Sequence, residues 1–459
     1  MWFDLNRYSP AVIRSETRQL WGLAWPMLLG QIAAVGVGVV DTMMAGGAGK
    51  ADLTAVSLGT SVFVTVFVTL LGIINALNPI IAQLFGAGKQ EEIGEMGRQG
   101  LWFGTAAGVA GMLLQLALIR PLLAYVDMGA EVEGMLADYL FYTALSLPLA
   151  MVYRVLYGYV SSLNRPQAVM WFSWAGLLLN IPLNYVFVYG KLGLPAMGGA
   201  GCGVATLLVF ALNAAALWLY VLRTRYFDRF GLTARFSLPD KAALKQIWQL
   251  GWPIALSYFL EISLFSAIVW LIADLGADTV AAQQIVLNIS SMSYMVPSAL
   301  GSAATVRIGQ ALGRRQFARA RYLGGMALVL GAVSAVCIVA VLVGLRAHLP
   351  ALYTDDAGVL ALAAVLMLFA AVFQVFDCTQ CIASYALRGY KITRLPMLIH
   401  ALCFWGLGLL PGYWLAYGAP KWGIYGFWTG MIAALATAAL LLVLYLERCS
   451  RWAAQHRAL

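Results

Sequence analysis

Charge is absent from long stretches of this 459-residue chain. Ten runs of at least twenty residues carry no Asp, Glu, Lys or Arg: 19–40, 53–88, 99–119, 166–190, 192–222, 279–306, 322–345, 357–376, 395–420 and 422–446. About twenty apolar residues cross the hydrocarbon core of a bilayer as one helix, so each run predicts a transmembrane span. Two further apolar stretches qualify if one internal charge is allowed, 139–164 around Arg154 and 246–273 around Glu261. The pattern thus predicts an all-α polytopic membrane protein of twelve helices. The runs are continuous rather than alternating over short strands, which excludes a transmembrane barrel.

Composition agrees: 62% of residues are hydrophobic and 11% charged, and the mean hydropathy is +0.81. A soluble domain carries about 25% charged residues, so a soluble multidomain enzyme, a disordered scaffold and a secreted disulfide module are all excluded. The net charge of +9 suggests nucleic acid, but topology accounts for it. With twelve spans both termini lie on one side. The loops there hold 23 Lys and Arg residues, whereas the opposite loops hold five. Positive loops stay inside, so both termini are expected on the cytoplasmic side of the membrane and no nucleic-acid partner is needed. The polar lead of eighteen residues runs into a full-length span, which reads as an uncleaved signal-anchor.

An internal repeat organises the chain. Leu20-Trp21-Gly22-Leu23-Ala24-Trp25-Pro26 returns as Ile247-Trp248-Gln249-Leu250-Gly251-Trp252-Pro253, an ungapped offset of 227. The same offset carries Ala55 to Ala282, Gln83 to Gln310, Gly86 to Gly313 and Gly97 to Gly324. Gly198-x-x-Gly201 matches Gly423-x-x-Gly426 at an offset of 225. The expected organisation is a six-helix lobe over 1–222, a charged linker over 223–246 and a second six-helix lobe over 247–459. Six is even, so the halves run the same way across the membrane, a parallel repeat.

Ionisable groups inside spans mark function, because each costs at least ~2.5 kcal/mol to insert. Of twenty acidic residues, Asp41, Glu261 and Asp377 fall well inside predicted spans. At 1.5 Å per residue Glu261 lies about 14 to 24 Å along its helix, and Asp377 about 16 Å from the inner end of its own, so the two can share a depth. Phe265 is on the Glu261 face. Gln284, Asn288 and Ser291 form a polar stripe on one helix, and Tyr294 continues it. Carboxylates, amides and hydroxyls are hard ligands for a small cation or proton, and aromatic faces hold organic cations. The stripe reads equally well as interhelical glue. Asn180 and Asn184 flank Pro182 at i, i+4 and can form a second cation or proton site with Asp41. Ser57, Ser61 and Thr65 form a hydroxyl stripe, Asp355 and Asp356 open a span from outside, and Arg154 is expected to snorkel toward the cytoplasm. Apart from the loops, Arg154 is the buried base the sequence offers.

Enzyme chemistry is not expected. Gly86-Ala87-Gly88-Lys89-Gln90 lacks the spacing and the Ser or Thr of a phosphate loop. Cys378-x-x-Cys381 has no second motif, and His348, His400 and His456 are scattered, so the six cysteines read as small buried hydrophobes. No cofactor is implied beyond a small cation or proton at the acids. Without histidine in the acidic cluster, oxygen ligands favour Na⁺, with Glu261 and Asp377 as its ligands; a proton is the alternative.

Several stretches together resemble the multidrug and toxic compound extrusion (MATE) family, its NorM-like bacterial branch in particular. They are Trp25-Pro26, Val40-Asp41-Thr42-Met43-Met44-Ala45-Gly46, Asn78-Pro79-Ile80-Ile81-Ala82-Gln83-Leu84-Phe85-Gly86-Ala87-Gly88, Asn180-Ile181-Pro182-Leu183-Asn184-Tyr185 and the pair Glu261 and Asp377. The resemblance implies an exporter of lipophilic cationic drugs and dyes, monomeric, driven by Na⁺ or H⁺, with two lobes around a central cavity. It implies cation coupling at Glu261, Asp377, Tyr294, Asp41, Asn180 and Asn184. Substrate contact is expected at Phe265, Gln284, Asn288, Ser291, Ser61 and Asp356. The alternatives are a lipid-linked oligosaccharide flippase, which needs cations to hold a pyrophosphate, and a cation channel.

Overall fold

Lipid offers the backbone no hydrogen-bond partner, so apolar runs satisfy their own N–H and C=O groups by coiling. The computed structural model describes residue 3 and residues 9–125, 129–418 and 421–456, and no strand forms among them. The helices are α1 (Pro10–Ala48), α2 (Lys50–Ile74), α3 (Leu77–Gly86), α4 (Gln90–Tyr125), α5 (Ala130–Ser162), α6 (Pro166–Tyr189) and α7 (Gly199–Arg223). A single turn, α8 (Arg225–Asp228), precedes α9 (Lys241–Leu271), α10 (Ala277–Gly313), α11 (Phe317–Gly344) and α12 (Ala357–Gly389). Then α13 (Arg394–His400) runs through a π-helical segment, Ala401–Leu409, into α14 (Leu410–Tyr417), and α15 (Ile424–His456) follows. The helices overrun the uncharged runs because their ends leave the hydrocarbon, where charge is tolerated. Thus α4 starts at Gln90 although its run starts at 99.

Among the described residues, eleven helical stretches are long and apolar enough to cross a membrane, and the chain is a multi-pass membrane protein. The twelfth stretch, α10, spans 37 residues but is diluted by Gln283, Gln284, Asn288 and several serines. The repeat is visible in the helix ends. α2, α4 and α5 start at Lys50, Gln90 and Ala130, and α10, α11 and α12 start at Ala277, Phe317 and Ala357, each at the offset of the sequence repeat. Gly198 and Gly423 adopt left-handed φ of 55° and 57° at equivalent turns. Just past each turn the backbones close up: a Cβ on Gly201 would meet the Phe187 backbone at 2.7 Å, and one on Gly426 the Ala416 backbone at 2.5 Å.

The chain divides into two compact units, residues 26–255 (the N unit) and residues 1–25 with 256–459 (the C unit). In the N unit α5 packs along α4 and α7 over a core that includes Ile74, Leu77, Tyr159 and Phe230. The charged stretch after α7 is docked there. Arg98 Nη1 donates to the Gly231 carbonyl at 2.6 Å, Gln99 Nε2 to Leu238 at 2.9 Å and Trp102 Nε1 to Ser237 at 2.9 Å. In the C unit α10 packs along α12. Ion pairs on two buried carboxylates fasten its helices: Glu16 accepts from Arg307 and Arg319, and Glu447 accepts from Arg321 at 2.6 Å and, within α15, from the exposed Arg451 at 2.7 Å.

Candidate functional site

The i, i+4 spacing of Asn180 and Asn184 puts both amides on one face of α6, turned to Asp41 of α1. Asn184 Nδ2 donates to Asp41 Oδ1 at 2.6 Å and Asn180 Nδ2 to the same oxygen at 3.1 Å. Thr206 of α7 donates to Oδ2 at 3.0 Å, a third donor that no local sequence pattern announces. Asn184 Nδ2 also donates to Asn180 Oδ1 at 3.0 Å. All four side chains are buried. The asparagines meet Asp41 through their N–H groups, so the cluster holds a carboxylate by donors rather than forming a cage of oxygens.

Asp41 opens onto a cavity of about 180 Å³ inside the N unit, shared with Thr60, Phe67, Tyr139, Arg154 and Tyr157. Arg154 does not snorkel out of the protein. Its guanidinium lies 5.4 Å from the ring centroids of both Phe67 and Tyr157, and its Nε is buried without a partner. Aromatic faces flank the guanidinium where it borders the cavity.

In the C unit Glu261 of α9 and Asp377 of α12 share a small void with Phe265, Phe373 and Phe404. Phe265 and Phe373 meet edge to face with centroids 6.1 Å apart. A second void touches Glu261 and is lined by Tyr258, Tyr294, Gln380, Arg388 and His400. Each void is about 10 Å³, room for roughly one water-sized particle. Gln380 Nε2 donates to Asp377 Oδ1 at 3.0 Å, and His400 Nε2 meets Gln380 Oε1 at 3.1 Å. Arg388 Nη1 donates to Tyr258 Oη at 2.8 Å, which bonds Tyr385 at 2.9 Å, and Cys381 Sγ donates to Tyr294 Oη at 3.5 Å.

Two expectations change here. One histidine stands next to the acidic pair: His400, which arrives from a later helix, bonds Gln380, the partner of Asp377, and its neighbours in sequence carry no polar pattern. With an imidazole one amide away from Asp377, the side chains around the pair do not separate Na⁺ from H⁺. Arg388, counted as a loop charge, is buried over the Tyr385 ring at 4.1 Å, so Arg154 is not the lone buried base. Among the described residues no three Asp, Glu, His or Cys side chains converge as a metal site. The six cysteines are free, and the side chain of His456 lies outside the described residues.

The two sites are images of one another under the repeat. Shifting by 227 carries Gly30, Gln31, Ala34, Gly38 and Phe67 of the N-unit cavity to Ser257, Tyr258, Glu261, Phe265 and Tyr294. Tyr153 and Ser173, hydrogen-bonded at 2.9 Å, map onto Gln380 and His400. Larger side chains fill in the C unit what stays open in the N unit, and the acids are not duplicated: Glu261 replaces Ala34, and Asp377 replaces Ala150.

Other predicted residues lie elsewhere. Gln284, Asn288 and Ser291 are exposed on α10 and line neither void, whereas Tyr294 turns inward; Tyr353 donates to Asn288 Oδ1 at 3.4 Å. Ser61 is exposed and bonds the Ser57 carbonyl of its own helix at 3.0 Å. Asp356 caps α12, accepting from the backbone N–H of Gly358 at 2.8 Å and Val359 at 3.0 Å. These two bonds give Asp356 a helix-capping role.

A family model described as MatE matches residues 26–186 and again 253–414, two copies that begin at the repeat-related prolines Pro26 and Pro253. The chain belongs to the MatE family. Over 451 residues it is 57% identical to the "Probable multidrug resistance protein NorM" of Neisseria meningitidis serogroup B, with 98% of each chain covered. It is 38% identical to the "Multidrug resistance protein MdtK" of Edwardsiella ictaluri, over 95% of this chain and 96% of that one. Among solved structures, the MATE transporter NorM-NG, in a complex that includes a monobody, is 54% identical and superposes with a TM-score of 0.82 over 94% of both chains. A MATE structure in the bent conformation, 20% identical, shares the fold with a TM-score of 0.88 over 97% of both chains.

Proposed function

We propose that this MatE-family chain is a secondary active multidrug exporter of the bacterial inner membrane, acting as a monomer with both termini in the cytoplasm. Inward flow of Na⁺ or H⁺ drives lipophilic organic cations out of the cell. The observation that carries this reading is the pairing of Glu261 with Asp377 across a void in the membrane-spanning part of the C unit, walled by phenylalanine rings. Two carboxylates in such surroundings have no packing rationale; they need a cation between turnovers, and a small void suits an ion better than a drug. The resemblance to relatives named for multidrug resistance supports the substrate class.

Tyr294, facing Glu261 across the second void, completes the ion site in this reading. Asp41 with Asn180 and Asn184 forms a further cation-responsive group facing the N-unit cavity. Drug contact is assigned to Phe265 and to the exposed Ser61, Gln284, Asn288 and Ser291. A pyrophosphate carrier would need several converging cations, and each cavity offers one arginine, Arg154 or Arg388. The test is efflux of a fluorescent cationic dye from proteoliposomes by wild type and by Glu261→Gln and Asp377→Asn. Loss of efflux in both at normal expression supports the reading, and wild-type efflux in either removes that acid from it.

A further inference from the structure

His400 has no role in the reading above, yet its hydrogen bonds lead to the coupling acid. Gln380 lies one turn beyond Asp377 on α12 and donates Nε2–H to Asp377 Oδ1 at 3.0 Å. An ionised carboxylate only accepts, so the amide must present its nitrogen to Asp377 and its oxygen to His400. That oxygen can only accept, and His400 Nε2 stands 3.1 Å from it, so Nε2 carries the proton. The bonds therefore run in one direction, from imidazole to amide to carboxylate. All three side chains are at most 5% exposed. The imidazole is pinned by stacking on Phe404, ring centroids 5.1 Å apart and planes 6° from parallel. Its other nitrogen, Nδ1, is buried with no partner. An apolar residue would spare that orphaned atom, so the ring is kept at a cost to stability.

The repeat supplies an internal comparison. The equivalent pair in the N unit, Tyr153 and Ser173, makes the same helix-to-helix bond, but Ala150 stands where Asp377 would be. Only the half that carries the acid has an amide and an imidazole in these places. Packing alone is served by the hydroxyl pair, so the amide and imidazole answer to the carboxylate.

We propose that His400, acting through Gln380, is a positioning residue of the cation site: it locks the Asp377 carboxylate in the orientation that receives the coupling ion. This rests on the reading of Asp377 as a coupling acid. Outer partners of this kind fix the rotamer of an ion ligand, and losing one weakens ion affinity by about tenfold or more. The other charged and titratable groups that face the pair are Glu261 and Tyr258 of α9, Tyr294 of α10, and Cys378, Cys381, Tyr385 and Arg388 of α12. None of them donates to Asp377 among the described bonds, so the relay is its hydrogen-bond anchor.

The experiment measures initial rates of dye efflux in proteoliposomes against external Na⁺ at fixed pH, and against external pH without Na⁺. The variants are His400→Phe, which keeps the stacking, Gln380→Leu, their double variant, and His400→Gln, which keeps an N–H donor. Whichever cation drives the wild type should be needed at about tenfold higher concentration in His400→Phe and in Gln380→Leu. The maximal rate and the dye KM should stay within about twofold of wild type. The double variant should match the singles because the two residues act as one unit, and His400→Gln should recover most of the loss. A merely structural histidine would lower the maximal rate and leave half-saturation unmoved, and that result overturns the proposal. So does an unchanged half-saturation in both single variants. Wild-type efflux by Asp377→Asn would instead overturn the coupling reading on which it rests, and the two failures are told apart by that variant.

Discussion

Asn184 donates its side-chain amide to Asp41 at 2.6 Å, joining α6 to α1 inside the N unit. With Asn180 and Thr206 it gives one buried carboxylate at the edge of the N-unit cavity three donors, which offset the cost of its burial. The helix supplying two of these donors carries Pro182 between them, so the backbone there is already short of a hydrogen bond.

Replacing Asn184 by Leu should therefore leave Asp41 short of its best donor. The expected loss is about 1–3 kcal/mol of stability, visible as a lowered unfolding temperature in detergent. Thr206→Val removes one weaker donor and should cost less. An unfolding temperature unchanged in Asn184→Leu would mean that the cluster does not hold Asp41.

The Arg321–Glu447 pair should behave differently. The two side chains are 7% and 8% exposed, and Glu447→Leu takes the carboxylate away from a buried guanidinium. Removing one partner of a buried pair costs about 3–5 kcal/mol. Efflux per folded molecule should remain near wild type, because neither residue lines the two voids at Glu261. Separating unfolding temperature from efflux rate in this variant checks both halves of the expectation.

Equivalent glycines of the repeat should respond alike. Gly201→Ala and Gly426→Ala each force a methyl against backbone at 2.7 and 2.5 Å, whereas Gly22→Ala meets nothing within 4 Å. Overpacking of this kind costs about 1–3 kcal/mol. Both repeat variants should unfold at lower temperature than wild type, and Gly22→Ala should not.

Drug and coupling cation should oppose one another. Both carry positive charge, and a cation held by Glu261 and Asp377 in low dielectric disfavours a second one nearby. Linkage makes the effect reciprocal. Titrating Na⁺, or lowering pH, against a fluorescent cationic dye in detergent should raise the apparent dye Kd, and Glu261→Gln should erase the dependence. A dye Kd indifferent to both cations in wild type would move the ion to the Asp41 group.

Much of the architecture is legible in the sequence because lipid imposes it: a long uncharged run has few alternatives to a helix, and the offset from Trp25-Pro26 to Trp252-Pro253 sets which helices correspond. Asp41, Asn180 and Asn184 are legible for a local reason, since i, i+4 spacing puts two amides on one face. Spacing within a helix says nothing about which residue of another helix meets that face. Thr206, His400 and the seat of Arg388 are invisible on those grounds. Arg154 departs from its expectation because a lone arginine in a span usually reaches for the membrane surface, and here it turns inward to the cavity between two aromatic rings. Asp356 lies near a predicted outer end, which suggests a cation-attracting mouth, while its spacing from the helix start, a capping position, carries the simpler meaning.

Cation-driven export through the C-unit acids is tested most directly by imposing inward gradients of Na⁺ and of H⁺, separately, across proteoliposomes loaded with a fluorescent cationic dye. At least one gradient should accelerate dye efflux by wild type, and Glu261→Gln and Asp377→Asn should each abolish that acceleration while inserting normally. Efflux that ignores both gradients, or that follows them undiminished in both variants, would contradict coupling at Glu261 and Asp377.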